Sequence, residues 1–268
     1  MKRSAMFFAC LLAIGGAQAA DGITLGVGVD YSSGDYGSAT TTEILSVPFS
    51  AKYTAGQWSW KASVPWLRVS GDPNVLPGVG LVVNTNPQGR GRGQGAVTVP
   101  GSTGPERGTA SGIGDLNLSA TYSFNTGGPF GIDLTGKAKV ATADENTGLG
   151  TGANDYGLAV DVYRVFGTTT LFGGVGYTAL GNSNYVDVTG TANVNLGASR
   201  KVGASGASIG VMYDWREAAS SSFDDRSEVT GFYSFGGDAA SRFQVYATAG
   251  LSDGSPAFGG GVSYSHGF

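Results

Sequence analysis

The stretch WSWKASVPW, residues 58–66, decides the fold. Trp58, Trp60, Ala62, Val64 and Trp66 share one parity, and Ser59, Lys61, Ser63 and Pro65 share the other. Alternation with period two is the signature of a β-strand with one apolar and one polar face. Rings stand at both ends of the apolar face, with smaller residues between them. Trp and Tyr favour a membrane–water boundary, where the apolar body of the ring is buried and its polar edge stays wet. The stretch spans nine residues, and a tilted strand needs about 9–11 to cross the hydrocarbon layer.

The same alternation recurs along the chain. ITLGVGVDY sets Ile23, Leu25, Val27, Val29 and Tyr31 against Thr24, Gly26, Gly28 and Asp30. LSVPFSAKY, DLNLSATYSF, FGIDLTGKAKV, ASIGVMYDW and RFQVYATAGL repeat it, and no helical period competes. Twelve such runs are expected near 22–31, 43–54, 57–69, 112–124, 130–141, 155–165, 169–180, 191–202, 206–216, 226–236, 241–251 and 257–268. Tight turns at 54–57, 125–129, 167–168, 203–206 and 236–241 alternate with longer segments at 32–42, 71–111, 142–154, 181–190 and 217–225. Short turns on one side and long loops on the other predict an all-β protein, a closed antiparallel transmembrane barrel of about twelve strands. An even strand count brings both ends of the barrel to the short-turn, periplasmic side.

Aromatic placement agrees. Trp58, Trp60, Tyr122, Tyr233, Tyr264 and Phe268 fall near the short turns, and Trp66, Tyr156, Tyr213 and Trp215 near the long loops, as two girdles would. The terminal Phe268, on an alternating strand, resembles the signal read by barrel-assembly machinery. A soluble sandwich or barrel would need large apolar side chains on its inner face. Here the face opposite the rings is mostly Gly, Ser, Thr, Asn, Asp and Lys, with Phe172, Phe232 and Tyr246 as exceptions.

The first residues read as an export signal: Lys2 and Arg3, the apolar run 6–14, then Ala17-Gln18-Ala19. Such a segment is removed, which leaves a single domain, 20–268, bound for the outer membrane. Cys10, the only cysteine, goes with the signal, excluding disulfides and thiol chemistry. Without Lys2 and Arg3, 14 basic residues face 20 acidic ones, a net charge of −6. That balance argues against a nucleic-acid partner. One histidine, His266, is too few for a histidine metal site or a catalytic triad. No cofactor or metal is implied.

Candidate functional residues follow from parity. Asp30, Lys52, Lys61, Asp115, Asp133, Lys137, Lys139, Asp161, Asp214, Arg216, Glu228 and Arg242 face the expected lumen. Charged lumen residues tune selectivity or pair across strands to fill a narrow barrel; Lys137 and Lys139 are expected opposite Asp161. The 71–111 segment holds an apolar run and the basic QGRGRGQG. Leu76, Val79, Leu81 and Val82 are expected to pack at the mouth, because an apolar run in water is costly. Arg90 and Arg92 either line the mouth or, the reading preferred, ride on a mobile surface loop. TGLGTGAND, residues 147–155, imitates a phosphate-binding loop. A phosphate loop opens a helix, whereas Tyr156, Leu158, Val160 and Val162 alternate as a strand. It therefore joins two strands.

VPWLRVSGDPNVLPG (64–78), GIGDLNLSATYSF (112–124), GKAKVATADENTGLGTGANDYGLAVDVYRVFG (136–167) and TLFGGVGYTALG (170–181) resemble a family of proteobacterial outer-membrane proteins filed under the meta-pathway of phenol degradation. Lys139, Thr142 and Asp144 match a family run in which Ala141 and Ala143 stand for Pro and Gly. The resemblance implies a channel or transporter for small aromatic or apolar solutes, with membrane lipid around it. A structural or adhesive barrel acting through its loops is the alternative. A membrane lipid hydrolase would have to use His266 with Ser263 or Ser265, and no acid partner is evident.

Overall fold

A computed structural model describes residues 21–90, 107–203, 206–236 and 240–268; the expected signal peptide at 1–19 and Arg92 lie outside them. Each alternating run forms a strand. In chain order these are β1 (Gly22–Gly34), β2 (Thr42–Ala55), β3 (Trp58–Gly71), the short β4 (Val75–Leu76) and β5 (Gly80–Leu81), β6 (Gly108–Ile113), β7 (Leu116–Phe124), β8 (Phe130–Val140), β9 (Asp155–Phe166), β10 (Thr169–Ala179), β11 (Thr191–Val202), β12 (Ala207–Arg216), β13 (Arg226–Gly236), β14 (Ser241–Gly250) and β15 (Phe258–Gly267). β4 and β5 form a separate hairpin inside the connection after β3. β6 and β7 both pair with β3 and make one broken stave. The barrel thus has twelve staves, each antiparallel to the next, and β15 closes on β1. Closure leaves no sheet edge, which hydrocarbon demands, since it offers backbone groups no other partner. The two ends meet: the Phe268 N–H donates to Ile23 O at 2.8 Å. Tight turns use glycine where the chain must reverse, as at Gly167 (φ 60°) between β9 and β10.

The alternating pattern runs 112–124 as one strand, but the structure interrupts it with a β-bulge. Trp66 pairs with Ile113, whereas Ser63 pairs with Asn117, so three steps on β3 oppose four on its partner. Gly114 N–H donates to Pro65 O at 2.7 Å, and proline at 65 has no N–H to return. The extra residue shifts parity, so Ile113 and Leu118 both point outward and Asp115 is turned inward and buried.

The outer face is apolar between the girdles, with outward charges such as Glu43, Arg68, Arg164 and Arg200 kept to the strand ends. Leu158, Val175, Leu196, Ile209 and Val262 are among the many exposed aliphatic side chains between the girdles. A band of this size is incompatible with water and fits lipid. On the short-turn side Trp58 lies 5.9 Å from Trp60 and 5.0 Å from Tyr122, and Phe243 lies 4.7 Å from Tyr264. Tyr233 joins this row through Phe235, and Phe268 is exposed beside His266. On the loop side Tyr156 is exposed, Tyr213 accepts a hydrogen bond from Ser227 Oγ at 2.9 Å, and Trp66 and Trp215 share the outward parity. Among the described residues no helix is long and apolar enough to cross a membrane; this chain crosses with strands.

Candidate functional site

The inward faces of the strands form a lumen, and all twelve charged candidates carry the inward parity, half-buried or buried. They do not act as one set. Lys139 is caged: its Nζ lies 3.0 Å from Asp155 Oδ2 and 3.5 Å from Asp115 Oδ2, and it donates to Thr151 Oγ1 at 2.9 Å. The expected pairing of Lys137 and Lys139 with Asp161 is corrected for Lys139, while Lys137 stays within electrostatic reach of Asp161 from one strand away. Lys139 stands opposite Asp155, Lys137 opposite Gly157, and Asp161 opposite Asp133. β8 and β9 are joined by a long loop, which leaves register undetermined by local sequence. Arg226, missed at the sequence level, bonds Glu228 through Nε at 3.1 Å and through Nη2. Asp214 stands opposite Glu228. Asp30 accepts from the Tyr246 hydroxyl, and Arg242 Nη1 donates to Ser234 Oγ at 3.4 Å. Lys52, Lys61, Asp133, Lys137 and Asp161 remain half-buried along β2, β3, β8 and β9.

The mouth on the long-loop side is filled by packed loops. Leu76, Val79 and Val82 are buried with Val186, Val188 and Ala219 from two other loops. Val75 packs with Tyr36, Ile44, Leu67, Val69, Ala143 and Leu149, and Leu81 lies against that cluster. Tyr36 is 2% exposed and is the only non-glycine residue at positive φ (57°) among the described residues. Its hydroxyl bonds Ser32 Oγ at 3.0 Å, and burial pushes its pKa up to about 12.

Two arginines hold this cap. Arg216, on β12, donates through Nη1 to Gly78 O at 2.7 Å and through Nη2 to Val79 O. It is therefore a latch between wall and loop rather than a free lumen charge. Arg90 neither rides on the surface nor lines the mouth; it is 3% exposed, buried between loops. Its Nη1 donates to Gly148 O at 3.1 Å, and its Nη2 to Val75 O at 3.0 Å and to Asp72 O. A guanidinium presents several donors in a fixed fork, so one buried side chain satisfies carbonyls from two loops. Burial lowers its pKa to about 10, against the pull of Asp72. Both that value and the unfolded one lie well above neutrality, so Arg90 stays charged in both states. Deuterium uptake of the 72–90 amides, corrected for intrinsic exchange, is expected to stay constant between about pH 5 and 8.

The glycine-rich stretch is the other half of this contact. A short 3-10 turn, Glu145–Thr147, is capped by Asp144 and ends at Gly148 in the left-handed region (φ 65°), where its carbonyl meets Arg90. A Cβ at Gly150 would come within 2.9 Å of Asp115 Oδ1 and of Ala143 Cβ. The glycines therefore admit side chains of the fold itself.

Inside the barrel runs an apolar belt. Phe172, Met212 and Phe232 are buried together, with Tyr163 and Tyr246 against them. Each ring lies opposite a glycine on the neighbouring strand: Tyr163 on Gly131, Phe172 on Gly197, Phe232 on Gly210 and Tyr246 on Gly261. At Gly131, Gly197 and Gly210 an added Cβ would fall inside the van der Waals surface of the ring. Glycine thus lets a large ring lie flat on the wall instead of blocking the lumen. Gly210→Val is expected to destabilise the barrel by about 1–3 kcal/mol through overpacking, read as a lower urea midpoint for unfolding from detergent.

His266 points outward at the short-turn end. Its Nδ1 is 2.9 Å from Ser241 Oγ, which also lies 3.3 Å from the Tyr264 hydroxyl. Neither Ser263 nor Ser265 makes that contact; both have inward parity. No group of three or more metal-ligating side chains occurs among the described residues.

No protein-family model matches the chain, and no curated protein does. Solved structures do match. An outer membrane channel from Pseudomonas putida F1 superposes with a TM-score of 0.64 at 15% identity, covering 95% of this chain and 98% of that one. The translocator domain of the autotransporter NalP from Neisseria meningitidis gives 0.53 at 10% identity, over 99% and 96%. The KdgM porin gives 0.51 at 9% identity, over 91% and 99%. The chain has the fold of outer-membrane β-barrels.

Proposed function

We propose that this barrel carries small aromatic or apolar solutes passively across the outer membrane. The observation that carries this reading is the interior belt from Tyr163 through Phe172, Met212 and Phe232 to Tyr246. A lumen meant only to hold water gains nothing from such a wall, whereas aromatic rings offer a passing ring offset or edge-on contacts of about 0.5–1.5 kcal/mol each. The resemblance to the phenol meta-pathway family and the likeness to two known barrels, a channel and a porin, point the same way. The half-buried charges Lys52, Lys61, Asp133, Lys137 and Asp161 are the selectivity candidates, with Asp30 and Arg242 beside them. The adhesive alternative is disfavoured by loops that pack into the mouth rather than project from it. The terminal strand ending in Phe268 is proposed as the segment read during barrel assembly.

The test is solute-dependent swelling of liposomes holding the refolded protein. Phenylalanine is expected to enter faster than leucine, which has the same charge and no ring. Phe172→Ala with Phe232→Ala should reduce that preference by about tenfold, two ring contacts' worth. Absence of both swelling and conductance would overturn the channel reading.

A further inference from the structure

We infer that the short-turn rim of the outer face carries a binding site for one anionic phospholipid, held by its headgroup phosphate between Arg164 and Arg200. On the described strands, the outward Asp, Glu, Lys and Arg side chains fall into two groups. Glu43 and Arg68 stand at the loop end of β2 and β3, one of each sign, and the Tyr31 hydroxyl donates to Glu43 at 2.6 Å. Arg164 on β9 and Arg200 on β11 stand at the short-turn end, and both are exposed. No outward residue of β8 to β12 is a carboxylate, and neither arginine forms an ion pair among the described residues. Two cations thus face lipid with no anion of the protein beside them.

Both arginines flank one spot. Thr169 on β10 stands opposite Phe166 on β9 and opposite Arg200 on β11. Arg164 stands opposite Leu171, two residues along from Thr169. With strands about 4.8 Å apart and about 3.4 Å per residue, the two arginine Cα atoms lie about 12 Å apart across β10. Two arginine side chains can close that distance onto one phosphate, with the Thr169 hydroxyl beneath it. The Arg164 guanidinium lies 4.9 Å from the centre of the Phe166 ring, and Phe166 is the exposed last residue of β9. This cation–π contact draws the charge out of the hydrocarbon towards the turns, to the depth where headgroups lie. Exposed Leu171 and Leu196 continue from the spot towards the middle of the band and offer a surface to the acyl chains. A guanidinium fork matches phosphate oxygens in pairs. A zwitterionic lipid cancels its phosphate with its own cation; an anionic one leaves the charge for the arginines. The site does not depend on what passes through the lumen.

The experiment is native mass spectrometry of the full barrel, released from micelles holding equal amounts of phosphatidylglycerol and phosphatidylcholine. One phosphatidylglycerol should stay bound, favoured about thirtyfold, the combined effect of two arginines on an anionic headgroup. Arg164→Gln with Arg200→Gln should bring the ratio to about one, and Arg68→Gln, at the loop end, should leave it unchanged. If the double variant does not fold, Arg200→Gln alone should lower the ratio about fivefold. Glycerol phosphate at the same concentration as the lipid should not compete, since it has no chains to lay on Leu171 and Leu196. Displacement by glycerol phosphate would make this a site for free phosphate and overturn the lipid reading. Equal retention of both lipids by the native barrel, or a preference that survives in the double variant, overturns it as well.

Discussion

Arg216→Ala is expected to open the mouth. In the native barrel the guanidinium on β12 holds the carbonyls of Gly78 and Val79, next to the buried Val79, so the tip of the loop hairpin is tied to the wall. Hydrogen bonds from a charged donor are worth about 1.5–3 kcal/mol each. Losing two, with water replacing part of the loss, weakens the tether by about 3 kcal/mol. That is about a hundredfold in the ratio of released to docked loop. Single-channel recording should show this as a large rise in open probability, with the barrel still folded by its heat-modifiable mobility in detergent gels. Arg216→Lys should fall between, since an ammonium is a point charge and cannot fork across two carbonyls. Equal open probabilities for Arg216→Ala and the native barrel would show that the loop does not gate.

Arg90→Ala should loosen the same cap from the other side, and without touching the wall. Its removal strands the carbonyls of Asp72, Val75 and Gly148 in a buried setting. Each unsatisfied buried group costs about 1–3 kcal/mol, so the cap should lose about 3 kcal/mol or more of local stability. Deuterium uptake by the amides of 72–90 and 144–152 should accelerate by about a hundredfold. The strands should exchange as before, because loops and barrel open as separate units. Uniformly faster exchange through β1 to β15 would instead make Arg90 a residue of the global fold.

Much of the barrel was legible because the signals are local. Period two at Trp58–Trp66 is set by the geometry of one strand, and lipid outside makes the apolar face outward. The charged lumen candidates could be assigned a side by the same parity. Their partners could not. Lys139 meets Asp155 and Asp115 rather than Asp161 because a long loop leaves the β8–β9 register free, and because the bulge at 114–115 turns Asp115 inward. Arg90 sits in a glycine-rich run that reads as a mobile loop; its burial depends on carbonyls brought by a segment 58 residues away. Asp155 and Arg226 carried a weak signal, each being a charge at the first residue of an inward-alternating strand.

The sequence by itself determined the strands, their parity, the two aromatic girdles and the closed barrel, since each follows from side-chain alternation against a known solvent. Only the tertiary structure decided which inner rings lie on which glycines, which charges are consumed in ties and which still line the path. Those depend on register and on loops folding back into the mouth, and register across a long connection is set by packing at a distance rather than by neighbours in the chain.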